Sequence, residues 1–251
     1  MKSGNIFLLT HKCGNHFVRE IFSRVAGTAR LVSLQPTDDL TPILRHRAPF
    51  LNIRCRNFPV ESVDRLSAMF DPGQTRYFLF LRHPASFFRS AVTYHLRGDE
   101  PWCRTLALDH FQGRSLYEEL HARKDLDERL IAVMTHFGVA QRTILRWVES
   151  LEYLRGSRLC HEVIHVESLW RDAARESLSD FARSLCHDGF EINETYVMRA
   201  SPSDKQELSR HSTGEFKQTA YAGYGPKAME FYEAAFKPFE SILGYDQAAA
   251  T

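Results

Sequence analysis

Apolar positions along this chain follow two rhythms. Ile6-Phe7-Leu8-Leu9 and Tyr77-Phe78-Leu79-Phe80-Leu81 are continuous apolar runs. The second has the pattern of a strand buried on both faces, as in a parallel sheet. Each run breaks into a short polar segment, and after each break apolar residues recur at helical spacing. Phe17, Val18, Ile21, Phe22 and Val25 follow the first run; Phe87, Phe88, Ala91 and Val92 follow the second. The pattern predicts a strand over 4–10, a helix over 16–26 ended by Gly27, a strand over 77–81 and a helix from Pro84, where a proline suits the first turn. A short strand is expected over 51–55. A helix from Val60 to Phe70 is stopped by the Asp71-Pro72-Gly73 turn. Residues 28–48 and 99–115 read as loop, and helices are expected over 116–137 and 139–155. A strand is expected over 160–166, and Ser168 is placed to cap a helix carrying Leu169, Leu178, Phe181 and Leu185. A polar, turn-rich stretch over 187–225 precedes a last helix over 226–242.

Strands alternating with helices, without repeats or linkers, predict an α/β fold: one domain over 1–251, three layers deep, around a mainly parallel sheet. Its 251 residues, 43% of them hydrophobic, supply ample core. A formal net charge of +1 gives no global field toward nucleic acid or acidic membranes, so neither is expected as a partner. The five cysteines are widely spaced and form no CxxC, which reads as reduced thiols in a cytoplasmic protein. The run Ile6–Leu9 is too short for a membrane span or a signal-peptide core.

The chemistry concentrates at the two breaks. Thr10-His11-Lys12-Cys13-Gly14-Asn15-His16 joins strand to helix with a lysine and a glycine. Amides at a helix N-terminus point at an anion, the helix dipole favours its charge, and a lysine adds a point charge. The order of residues is not that of a Walker loop, which needs two glycines and then Lys-Ser or Lys-Thr. At the second break, Arg82 ends the strand and Ser90 follows eight residues later. Strand C-terminal ends are where open α/β sheets bind ligands, and arginine pairs its donors with phosphate oxygens.

Taken together, these segments resemble the sulfotransferases that use 3′-phosphoadenosine 5′-phosphosulfate (PAPS). Lys12-Cys13-Gly14-Asn15-His16-Phe17 resembles the family's phosphosulfate loop, Lys-Thr-Gly-Thr-Thr-Trp. Arg82-His83-Pro84 with Ser90 resembles its 3′-phosphate motif. Val163–Leu169 followed by Phe181 is similar to its strand ending in Tyr-Glu-Asp-Leu. Arg210-His211-Ser212-Thr213-Gly214-Glu215-Phe216-Lys217 is similar to the segment that closes over the nucleotide, and Tyr232, Phe239, Leu243, Gly244 and Tyr245 echo the C-terminal helix. The chain departs from the family at Asn15 and His16, which stand for hydroxyl residues, at His83 for an acid or amide, and at Val166 for a tyrosine. The Arg210 segment lacks its first glycine and is one residue shorter.

The resemblance implies a P-loop NTPase-like fold, and transfer of a sulfuryl group from PAPS to an acceptor hydroxyl or amine, releasing adenosine 3′,5′-bisphosphate (PAP). No metal is implied. Lys12 would stabilise charge at the transferring group. Cys13, Gly14, Asn15, His16 and Phe17 would cradle the 5′-phosphate, and Arg82, Ser90, Arg210 and His211 would hold the nucleotide and its 3′-phosphate. Candidates for a general base are Glu61 and His95. The acceptor is expected to be a small molecule, carbohydrate or lipid-like compound. Two other readings stand beside this one. His161-Glu162-Val163-Ile164-His165 spells the H-E-x-x-H string of zinc metallopeptidases, which works only on a helix. The altered loop residues also suit a non-catalytic nucleotide-binding protein of the same fold.

Overall fold

The structure, a computed structural model, describes residues 1–23, 31–34, 40–57, 59–169, 174–186, 190–200 and 219–245. Its residues sort into two compact units. The first comprises Met1–Arg82 and Glu149–Leu208, and the second His83–Val148 and Ser209–Thr251.

The first unit holds the whole sheet. Its strands are β1 (Lys2–Leu9), β2 (Leu31–Leu34), β3 (Phe50–Arg56), β4 (Phe70–Leu81) and β5 (Cys160–His165). All pair in parallel, in the order β2-β3-β1-β4-β5. The central position of β1 explains its apolar run, since Ile6, Phe7 and Leu9 are at most 2% exposed. With period two, alternate residues of these strands face opposite sides. On one side Phe7 stacks on Phe78 and tilts against Phe22 of α1 (Asn15–Ser23). Phe78 and Phe80 meet Phe181 of α9 (Ala174–Leu185), and Phe181 also reaches Phe17. α10 (Glu194–Ala200) packs beside α1 and α9. Tyr77 lies on the other side, with α3 (Val60–Ser67) and the end of α8 (Thr143–Gly156), which Tyr153 ties together by donating to Asp64 Oδ1 at 2.9 Å. Helices on both faces make three layers, the expected α/β architecture.

The second unit is helical. It contains α4 (Pro84–Arg97), α5 (Pro101–Thr105), α6 (Leu116–Ala122), α7 (Leu126–Val133), a π-helical segment (Met134–Ala140), the start of α8, α11 (Pro226–Ala235) and α12 (Lys237–Ile242). Phe87 packs against Phe137 and Trp147, and Phe88 against Tyr232 and Phe236. Ser115 and Glu118 cap α6 reciprocally, and the buried Glu119 carboxylate is held by Arg114 and Arg123. Glu240 accepts from Tyr221 and Tyr232, each at 2.5 Å, and pairs with Lys237 at 2.8 Å.

Several elements differ from the sequence expectation. Residues 28–48 are not all loop: β2 and α2 (Thr41–Arg45) lie within them. The helix from Val60 ends at Ser67. Phe70, 1% exposed, already pairs with Lys2 in the sheet, so Asp71-Pro72-Gly73 falls in an irregularity of β4 where the register slips. The 116–137 helix is broken after Ala122, where Asp125 caps α7. Phe236 divides the last helix. Ser168 caps no helix start; its hydroxyl donates to His165 O at 2.8 Å within a 3-10 turn. Among the described residues, no helix is long and apolar enough to cross a membrane.

Candidate functional site

The strand order reverses around β1. From β1 the chain goes out to β2, returns through β3 beside β1, and then crosses to β4 on the far side. Such a switch opens a crevice at the strands' C-terminal ends, where α/β sheets take their ligands. The loop from Thr10 to Asn15 leaves β1 at this point.

Two residues of that loop have positive φ, Lys12 at 60° and Gly14 at 74°. Left-handed backbone at a lysine is uncommon and turns successive amides toward one side, the geometry of an anion nest. Gly14 is also sterically required, because a Cβ there would lie 2.5 Å from Cδ1 of Phe80. Val18 N donates to Gly14 O at 2.9 Å, so α1 begins at once, and the amides of its first turn point off the helix end. Asn15 Nδ2 donates to Thr10 O at 2.6 Å, which closes the loop on itself.

The predicted loop residues divide by role. Cys13 is fully buried, its amide donates to Thr10 O at 3.3 Å, and burial pushes its thiol up to about 12. Phe17 is a core residue whose ring faces Phe80 and Phe181, so only its backbone can serve a ligand. Lys12 and His16 are partly exposed at the turn.

Arg82, at the end of β4, is 5% exposed, and its Nη1 donates to Lys12 O at 3.4 Å. The two breaks singled out in the sequence therefore meet on adjacent strands. Glu167, just past β5, joins them: its charge and that of Arg82 both act on Cys13. Nothing in its spacing from Lys12 or Arg82 marks Glu167 as a neighbour; the β4–β5 pairing brings it there.

The other candidates lie apart from this cluster along the chain. Ser90 sits on α4 of the second unit, 2% exposed. His83 caps α4, accepting from Ala85 N at Nδ1, and its Nε2 lies 3.5 Å from Glu240 Oε1. His95 is fully buried in the second unit among the rings of Tyr94, Trp102 and Phe137. Glu61 is exposed in the first turn of α3. Arg210 and His211 lie outside the described residues. His161 and His165 are on β5, a strand, where four residues span about 13 Å. One zinc ion cannot bridge that distance, so the H-E-x-x-H string does not have its peptidase geometry.

No family model and no curated protein sequence matches this chain. Its structure is similar to the crystal structure of mouse sulfotransferase SULT7A1 complexed with PAP, with a TM-score of 0.52 and 13% identity over 96% of this chain and 86% of that one. The likeness is one of fold. It extends over nearly the whole chain, both units included.

Proposed function

We propose that this protein is a PAPS-dependent sulfotransferase. The observation that carries the reading is the hydrogen bond from Arg82 to the Lys12 carbonyl. It couples the Lys12 loop after β1 to a buried arginine at the end of β4, at the switch point of a sulfotransferase-like fold.

The 5′-phosphosulfate would rest on the first-turn amides of α1, with Lys12 beside the transferring group. Arg82 would face the nucleotide's 3′-phosphate. In the transfer, the acceptor oxygen forms a bond to sulfur while the bond from sulfur to the bridging phosphate oxygen breaks. The electron pair leaves with PAP, and the acceptor proton passes to a base or to water. Most of the barrier is lowered by positioning and charge stabilisation. Lys12 offsets the charge that develops on the bridging oxygen, and the fixed loop needs little reorganisation. Glu61, on the helix after β3, is a candidate to take the proton.

The test is calorimetric binding of PAP, 5′-AMP and ATP to the wild type and to Arg82→Ala. PAP should bind best, and the substitution should remove its advantage over 5′-AMP. Equal binding of PAP and 5′-AMP by the wild type would overturn the proposal. With PAP binding established, transfer assays on Lys12→Ala test the catalytic role.

A further inference from the structure

Three arginines converge on the opposite side of β1 from Arg82. Arg54 and Arg56 are two residues apart on β3, so both project to one face of the sheet. In the parallel register their partners on β1 are Phe7 and Leu9. Phe7 faces α1 through Phe22, so this is the α1 face, and α1 contributes Arg19.

Among the described residues no carboxylate pairs with Arg19, Arg54 or Arg56. Arg54 is half-buried, and its Nε is sealed from solvent without a hydrogen-bond partner. Burial, then repulsion by Arg56 and Arg19, lowers the basicity of its guanidinium, which places the three charges within reach of one another. A buried donor without a partner and like charges without a counterion both cost stability.

Their place in the fold suggests what they are for. Arg56 pairs with Leu9, the last residue of β1, and Asn57 N donates to Leu9 O at 2.7 Å. The Lys12 loop starts at the next residue. With the order β3-β1-β4, the Lys12 loop stands between Arg82 on one side and the arginine group on the other. A sulfuryl donor held on the β4 side would leave the β3 side for the acceptor.

We infer that Arg19, Arg54 and Arg56 bind an oxyanion carried by the acceptor, a carboxylate or a phosphate or sulfate ester, and so select anionic acceptors. The inference rests on the sulfuryl-transfer reading. Guanidinium groups suit the role because their planar donors match the paired oxygens of such anions. The acceptor's hydroxyl would face the Lys12 loop while its anionic group is held at the end of β3.

The test uses the full chain, first titrated with PAP. The PAP-loaded protein is then titrated with 4-nitrophenyl β-glucuronide, phenyl phosphate and the neutral 4-nitrophenyl β-glucoside, for the wild type and for Arg54→Gln/Arg56→Gln. The wild type should bind the glucuronide or phenyl phosphate at least about tenfold more tightly than the glucoside, a difference that two charge-assisted contacts readily supply. The two anionic arms separate a carboxylate from a phosphate ester. The double variant should lose that preference, keep its PAP affinity, and unfold at the same temperature as the wild type or higher, because it removes a half-buried charge. The inference is overturned if the anionic probes bind no better than the glucoside, if the preference survives in the variant, or if the variant is markedly less stable, which would make the arginines structural. Failure of PAP to bind the wild type is a separate result and counts against the sulfuryl-transfer reading.

Discussion

Gly14 lies directly beneath the ring of Phe80, with no room for a Cβ between them. The loop after β1 is thus moulded against a core residue of β4, the strand that ends at Arg82. Gly14 combines this close approach with φ of 74°, so Gly14→Ala meets both a steric and a backbone penalty. Chemical denaturation should show a loss of about 1–3 kcal/mol. PAP affinity should fall with it, because the first-turn amides of α1 shift when the loop does. An unchanged midpoint would mean that Phe80 moves aside freely.

The Glu240 carboxylate is a hub for the second unit. Burial opposes its ionisation, but hydrogen bonds from Lys237, Tyr221 and Tyr232 outweigh that and hold its pKa below the usual range. Glu240→Ala leaves the buried Tyr232 hydroxyl without its acceptor and should cost about 2–4 kcal/mol. Lys237→Ala removes only a half-exposed partner and should cost at most about 1 kcal/mol. Comparing the two by urea unfolding checks the ranking. The sign of the pH effect follows from the lowered pKa: this stabilisation is complete above the ordinary glutamate range and is lost as pH falls through the folded-state value.

His136 sets a second pH effect, of the opposite kind of group. Burial, then the neighbouring His110, lowers its pKa to about 4 from 6.5, and the two rings meet at 3.0 Å between His136 Nδ1 and His110 Nε2. The unfolded chain protonates this histidine near pH 6.5 and the folded one only near 4. Stability should therefore fall as pH drops from 6.5 toward 4, by up to about 3 kcal/mol from this group. His136→Asn should flatten that part of the stability–pH curve. A slope unchanged in the variant would assign the effect to other groups.

The thiols should separate by burial. Cys13 and Cys55 are fully buried, with thiol acidities suppressed by that burial, whereas Cys160 is exposed at the start of β5. Iodoacetamide at pH 8 should label Cys160 in the native protein and reach Cys13 and Cys55 only in denaturant. Peptide mass mapping reads the order directly. Native labelling of Cys13 would mean that the Lys12 loop opens.

The parts of the fold legible in the sequence were those where one physical demand dominated. β1 and β4 lie at the centre of the sheet, and burial on both faces left their later parts, Ile6–Leu9 and Tyr77–Leu81, without polar residues to obscure the pattern. β2 has four residues with mixed burial, too few for a period to emerge. The π-helical segment over Met134–Ala140 departs from the 3.6-residue period that reveals helices, and its Gly138 sits against the rings of Phe88 and Phe236. At the candidate site, Lys12 and Arg82 stood out because each follows an apolar run. The Arg54–Arg56 pair was harder to read. Two cations on one strand face, with no acid in the stretch, are the signal, but only the register with Phe7 and Leu9 shows that they turn toward α1 rather than into solvent.

The central position of β1 bears on how the chain acquires its structure during synthesis. β1 is the middle strand of the sheet, yet its neighbours β3 and β4 are translated roughly 50 and 70 residues later. Phe181, whose ring meets Phe17, Phe78 and Phe80, comes later still. Contacts so far apart in sequence slow folding and leave apolar strands exposed on the nascent chain. Until α9 has left the ribosome, β1 and β4 present bare aromatic surface, and it is in that interval that this protein would depend most on chaperones.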